Sequence, residues 1–184
     1  METYRVTSTQ FGEPHILFEG VFTSFKDCIE TAVSQNIDLS HADLSFKNLT
    51  NIELDDGFLT CANFSGSNLT GANLSEANLF ATNFSYTSLF NTYFTHSDLR
   101  HSRFDYASFG ATDFSHCNIS DAYFTGESCF HQDFMNVQSM ERCIFGTREG
   151  EILQCSEPPV VILGLRRHPI ALRNHLTVQT SQTY

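Results

Sequence analysis

The sequence predicts an all-β chain wound as a stack of short repeated units, and two regularities carry that expectation. From Leu39 to Phe124 a large apolar residue stands at every fifth position, eighteen in succession: Leu39, Leu44, Leu49, Leu54, Leu59, Phe64, Leu69, Leu74, Leu79, Phe84, Leu89, Phe94, Leu99, Phe104, Phe109, Phe114, Ile119 and Phe124. Two places before most of them the residue is small, as at Ala42, Ala62, Ser67, Ala72, Ala77, Thr82, Thr87, Thr92, Ser97, Ser102, Ala107, Thr112, Cys117 and Ala122. A helix repeats its apolar face at about 3.6 residues and a half-buried strand at about two, so this period belongs to neither. A unit this short cannot bury its one large side chain alone, whereas stacked units bury a continuous interior.

Between the small and large positions the chain carries mostly Asn or Asp, and after the large one mostly Ser or Thr. "CANFS", "GANLS", "EANLF" and "ATDFS" show the unit. It resembles the pentapeptide-repeat family, over about half of the chain. The resemblance implies a right-handed quadrilateral parallel β-helix, with one pentapeptide per side and about twenty residues per coil. About five coils, spaced by roughly 4.8 Å, would stack to roughly 25 Å. Taking every fourth large residue tests the four sides. One column is Leu39, Leu59, Leu79, Leu99, Ile119; the next is Leu44, Phe64, Phe84, Phe104, Phe124. The third is Leu49, Leu69, Leu89, Phe109, Cys129, and the fourth Leu54, Leu74, Phe94, Phe114, Phe134. Rings segregate by column, as expected when like side chains stack on like in successive coils. Lys47 and Gly57 occupy small-residue slots, so the first coils are expected to be loose. Beyond Phe124 the phase decays: Cys129 and Phe134 keep it, Gln132 and Ser139 do not, and Met140 to Gly146 reads as a last, irregular turn.

The ends of such a stack expose unpaired backbone unless covered. "YRVTST" and "HILFEGVF" read as two strands joined through "QFGEP". Phe25, Cys28, Ile29, Ala32 and Val33 fall at helical spacing, and Ser24 with Asp27 makes a capping box. That helix is expected to lie over the first coil. After Gly146, "EILQC", "PPVVILGL", "PIALR" and "HLTVQT" read as short strands, forming either a cap or a small β module that pairs with another copy. The expected division is residues 1–36 as hairpin and capping helix, 37–146 as repeats, and 147–184 as a C-terminal β tail. The flanks also resemble small pentapeptide-repeat proteins of phages and prophages.

The length of 184 residues suits one compact unit, and no run of apolar residues is long enough to span a membrane. The N-terminus lacks a basic start and an apolar segment, which argues against secretion and for the cytoplasm of a bacterial host. Six scattered cysteines fit reduced, buried thiols better than a disulfide framework. A net charge of −11 disfavours direct binding of nucleic acid. The chain shows no phosphate-binding loop, nucleophile elbow, zinc-helix or dinucleotide signature, so neither an enzyme nor a cofactor is expected.

Mapping variable positions onto the four sides singles out one. The side of Leu54, Leu74, Phe94, Phe114 and Phe134 presents Glu53, Asp55, Asp56, Glu76, Asp113 and Asp133, with no Lys or Arg. Arg103 and Arg100 offset the acids on the Leu44 and Leu39 sides, and the Leu49 side is almost uncharged. Members of the quinolone-resistance group of this family resemble a rod of DNA and bind DNA gyrase in its place. That resemblance implies an acidic side that docks in the basic groove of a host nucleic-acid-handling or defence protein, its carboxylates standing for phosphates. This chain departs from that group in its short, uninterrupted coil and different tail. The alternative is a structural or oligomerisation scaffold, acting through the tail and the aromatic residues Phe90, Phe130, Tyr86 and Tyr106. His96 and His116 fall one coil apart beside Glu76 and are weak candidates for a metal site; simple exposure explains them as well.

Overall fold

The computed structural model describes residues 1–8, 10, 12–126, 132–146, 152–155, 161–165, 168–173 and 176–177. From Leu39 onward each pentapeptide repeats one set of backbone bonds. The N–H of the large residue donates to the next coil, as Leu39 does to Phe58 at 2.9 Å, and so does the residue two places on, His41 to Thr60 at 2.8 Å. The following N–H turns back on the large residue's own carbonyl, Ala42 to Leu39 at 3.0 Å. The third residue of these turns has positive φ, 62° at His41 and 59° at Asp121, which is the conformation of a type II turn, except at Asn136 in the turn of Phe134. Every pentapeptide therefore ends in a corner, and four corners close a coil. Parallel bridges join Asp43 to Asn63 and Asn63 to Asn83, so each coil lies in register on the last. Where the bridges lengthen they become strands. β3 (Ser88–Phe90) and β5 (Ser108–Gly110) pair on one side; β4 (Arg103–Asp105), β6 (Tyr123–Thr125) and β7 (Cys143–Gly146) pair on another.

The interior is filled by the large residues. Phe64 stacks on Phe84 at 5.3 Å between centroids, Phe84 on Phe104 at 5.0 Å and Phe104 on Phe124 at 4.6 Å, with planes within 9° of parallel. Phe145 continues this column at 5.2 Å from Phe124. Phe94 and Phe114 form a second stack, meeting the first edge to face. The small slots face inward too. Their hydroxyls and one thiol donate to the carbonyl of a large residue in the coil before: Thr82 to Leu59, Thr87 to Phe64, Thr92 to Leu69, Thr112 to Leu89 and Cys117 to Phe94. Among the described residues no buried side-chain nitrogen or oxygen lacks a partner, as expected where an unpaired group would be penalised by desolvation.

Two irregularities resolve differently from the sequence expectation. The first coil is not loosened at Gly57, which is buried and keeps both bonds of its slot, donating to Leu54 and accepting from Asn78. First-coil slots face the N-terminal segment rather than another coil. Lys47 can therefore emerge there, its ammonium 5.1 Å from the centre of the Phe25 ring. The loss of phase after Phe134 is one inserted residue. The carbonyl of Cys117 accepts from both Gln138 and Ser139, a bulge that leaves Phe124 opposite Phe145. Met140, Cys143 and Phe145 then fill the interior in the restored rhythm.

The N-terminal hairpin pairs β1 (Glu2–Ser8) with β2 (His15–Phe22), and Ser8 bridges to Ala42 in the first coil. Helix α1 (Phe25–Ser34) buries Cys28, Ile29 and Ala32 in the same core as the first coil. Ser24 Oγ accepts from the Asp27 N–H at 3.0 Å. The reciprocal arm of the expected box falls one residue early, Asp27 taking the Thr23 N–H instead. At the other end β8 (Ile152–Cys155) runs antiparallel to β7, and β9 (Val161–Leu165), β10 (His168–Arg173) and β11 (Leu176–Thr177) form a separate antiparallel sheet. Cys129 and Phe130 lie outside the described residues.

Candidate docking face

The ladder of the acidic side runs Glu53, Asn73, Tyr93, Asp113 through successive bridges. Glu53, Asp55, Asp56, Glu76 and Asp133 are exposed, and Asp113 is half-buried. The six carboxylates fall in two groups: Glu53, Asp55, Asp56 and Glu76 belong to the first two coils, Asp113 and Asp133 to the last two. The coil between them presents Tyr93, Thr95 and His96. Asp113 accepts from the Ser115 N–H at 2.8 Å and the Thr95 hydroxyl at 3.2 Å. Partial burial raises its carboxyl, but the bonds from Ser115 and Thr95 prevail, leaving its pKa below the ordinary value.

Helix α1 adds to the first group. Glu30, with Glu53, Asp55 and Asp56, lines a shallow groove of about 580 Å³, and Glu30 Oε1 accepts the Glu53 N–H at 3.0 Å. The helix also brings Lys26 to this rim, 3.4 Å from Glu30 and bonded to the Asn51 carbonyl. The side that carries no Lys or Arg of its own thus has one cation at its edge, held by Glu30.

Most acids of the other sides are neutralised locally; Asp38 and Asp43, bonded to Ser40 and Ser45, are the exceptions among the described residues of the coil. Arg100 lies 2.6 Å from Asp98, Arg103 2.6 Å from Asp105, and Arg142 2.5 Å from Asp121. For Asp98, desolvation raises the pKa and the bonds from Arg100 outweigh it; for Asp121 the Arg142 bond is the main cause of the depression. Among the described residues no Lys or Arg pairs with Glu53, Asp55, Asp56, Glu76, Asp113 or Asp133. The side is therefore a source of uncompensated negative field, and a cleft or ridge of one sign steers an oppositely charged partner.

His96 and His116 stack with centroids 4.8 Å apart and planes 11° from parallel. Imidazole lone pairs lie in the ring planes, so two parallel rings do not aim at a common point. Among the described residues no group of three or more His, Cys, Asp or Glu is placed to hold a metal.

The aromatic alternative is real as a surface. Phe46, Tyr86 and Tyr106 line a groove of about 730 Å³ with Asn83, Arg103 and Asp105. Several of these rings also serve the coil. A Cβ added to Gly66 would meet the Phe46 ring at 2.6 Å, and one added to Gly110 would meet Phe90 at 2.3 Å. The rings thus cover the backbone of the glycine one coil below, a recognised way of rescuing glycine in a sheet. Tyr86 stacks on Tyr106 at 5.4 Å. Phe130, the remaining residue of this set, lies outside the described residues. The sequence reading missed Tyr93 on the acidic side. Its position repeats that of Glu53, Asp113 and Asp133 twenty residues at a time, so the signal is present in the sequence.

A four-sided coil with type II corners and a solid apolar interior defines a β-helical repeat protein. The family description "Pentapeptide repeats (8 copies)" matches residues 59–95 and 92–126, so this stretch carries pentapeptide repeats, the units that form right-handed quadrilateral β-helices. Three solved structures are similar to it. The pentapeptide-repeat protein Rfr23 from the cyanobacterium Cyanothece 51142 is 27% identical over 40% of this chain and 50% of its own, with a TM-score of 0.40. HetL, involved in heterocyst differentiation regulation in Nostoc sp. strain PCC 7120, is 22% identical over 59% and 57%, with a TM-score of 0.27. QnrB1, a plasmid-mediated fluoroquinolone resistance protein, is 14% identical over 63% and 69%, with a TM-score of 0.32. The chain spans about half the length of the Rfr23 structure. No curated protein matches it significantly. Among the described residues no helix is long and apolar enough to cross a membrane.

Proposed function

We propose that this protein is a non-enzymatic binding module of phage or prophage type, acting in the cytoplasm of a bacterial host. Its acidic side docks in the basic groove of a nucleic-acid-handling protein, of the topoisomerase or gyrase kind, or of an anti-phage defence protein. The carboxylates stand where phosphates would, against Arg and Lys of the partner. The observation that supports this reading is the contrast between sides: Asp98, Asp105 and Asp121 each face an arginine of the chain itself, leaving Asp38 and Asp43 as the unpaired acids of those sides among the described residues, whereas none of the six acids of the Leu54 side is paired. A pull-down from bacterial lysate, repeated with Glu53, Asp55, Asp56 and Glu76 changed to Lys, tests it. The reversed variant is expected to keep its fold and lose the partner, and the wild-type interaction to weaken steeply with salt. Retention of the same partner by the reversed variant would refute the reading.

A scaffold acting through self-association is the second reading, favoured by the aromatic groove of Phe46, Tyr86 and Tyr106. It predicts a mass in solution above that of one chain, falling when Tyr86 and Tyr106 are changed to Ser.

A further inference from the structure

Among the described residues the exposed and half-buried rings mostly have occupants. Phe46 and Phe90 lie over Gly66 and Gly110. Tyr86 and Tyr106 stack on one another. Phe25 carries the Lys47 ammonium, Phe80 the Arg100 guanidinium at 5.6 Å and Tyr123 the Arg103 guanidinium at 6.0 Å. Tyr93 is different. It is 49% exposed, and among the described residues no ring or cation lies against it. Phe58 shares that condition but lies off the acidic side, on the column of Leu59.

Tyr93 stands at the centre of that side. Its ladder neighbours are Asn73 and Asp113. Glu76 belongs to the coil before, Asp133 to the coil after Asp113, and His96 occupies the next corner of its own coil. An aromatic face beside one carboxylate, Asp113, and between two groups of uncompensated carboxylates is an arrangement that can receive a cationic side chain. The ring quadrupole attracts the charge, the carboxylates neutralise it, and a guanidinium satisfies both because it is planar and carries several donors. Among the described residues two of the chain's own arginines already sit on its rings in this way, Arg100 on Phe80 beside Asp98 and Arg103 on Tyr123 beside Asp105. Anchors of an interface are commonly central aromatic residues within a polar rim.

Building on the acidic-side docking reading, we propose that Tyr93 is the anchor of that interface and takes an arginine side chain of the protein partner, which Asp113 and Glu76 flank. The side is then specific for arginine-bearing protein surface, a property that charge alone does not give, since lysine satisfies carboxylates but stacks less well on a ring.

The test uses the full chain and an oligo-arginine peptide, with an oligo-lysine peptide of equal length beside it, titrated calorimetrically at low salt. Tyr93→Leu is expected to weaken oligo-arginine binding about three- to tenfold, and Tyr93→Phe, which keeps the ring, about twofold or less. The preference for arginine over lysine is expected to disappear in Tyr93→Leu. Tyr86→Leu, on another side, is expected to change nothing. Unaltered binding by Tyr93→Leu, with clear weakening by Glu76→Gln combined with Asp113→Asn and Asp133→Asn, would overturn the anchor and leave the acidic docking reading standing. Unaltered binding by both variants would overturn both.

Discussion

Phe104 and Phe124 stack with their centroids 4.6 Å apart and their planes 5° from parallel. Phe104 also meets Phe84 from the other side and Phe94, Phe109 and Phe114 at angles. It is fully buried, in a column that cannot shift without moving the backbone ladders. Phe104→Ala is expected to cost about 3–5 kcal/mol, the range for emptying a buried aromatic site. Tyr86→Ala, which removes a stacked ring from the outside, should cost about 0.5–1.5 kcal/mol. Equilibrium denaturation of both variants, with the slope of the transition checked for change, measures the difference.

The corners make an opposite pair of predictions. Ala111 holds φ at 52° and is exposed. A left-handed conformation costs an L-residue about 1–2 kcal/mol, and glycine escapes that while giving back part through its freer unfolded state. Ala111→Gly is therefore expected to stabilise by about 0.5–1 kcal/mol. Gly66 holds φ at 68°, and its added Cβ would meet the Phe46 ring at 2.6 Å. Gly66→Ala is expected to destabilise, since strain and a displaced ring act together. Thermal melting of the two variants should move in opposite directions.

The coil was legible because the repeat writes one large residue per side, and the columns follow from counting by twenty. Phe64, Phe84, Phe104 and Phe124 do lie above one another. The return of the pattern at Met140, Cys143 and Phe145 was hidden because a single extra residue at Gln138 and Ser139 shifts every later position by one. The acidic residues map to one side as counted, but Glu30 and Lys26 reach its rim from a helix with no periodic relation to the coil. That Phe46 covers Gly66 follows from the same count of twenty, but only the structure shows the ring lying over the glycine.

Acid should loosen the coil in a definite window. Hydrogen bonds from Ser40 lower the Asp38 carboxyl. At Asp98 and Asp113 burial pushes the carboxyl up, and the bonds from Arg100 and from Ser115 outweigh it. A carboxylate whose folded pKa lies below its unfolded value contributes stability that is fully present above the unfolded value, about 3.9 for Asp, and is lost as pH falls through the folded one. Stability should thus be level from neutral pH to about 5 and decline below about 4. Asp113→Asn keeps an acceptor for the Ser115 N–H but cannot titrate, so its acid limb should be shallower than that of the wild type. Denaturation midpoints measured from neutral to strongly acidic pH decide this.

Gln132 stands in a slot where most preceding coils hold a small residue, and its side chain does the work of a backbone donor. Its Nε2 donates to the Thr112 carbonyl at 2.7 Å, whereas one coil earlier the equivalent carbonyl, of Thr92, receives the Asp113 N–H at 2.9 Å. A small opening of about 220 Å³ lies beside it, lined by Asp113, Gln132 and Asp133. Gln132→Leu leaves the Thr112 carbonyl without that donor and should cost about 1–3 kcal/mol. Gln132→Thr returns the slot to the residue found at Thr82, Thr87, Thr92 and Thr112, whose hydroxyls donate to the carbonyl of a large residue in the coil before. It is expected to cost less than Gln132→Leu, as measured by equilibrium denaturation of the two variants. Equal destabilisation would show that a polar donor in this slot contributes nothing to the last coil.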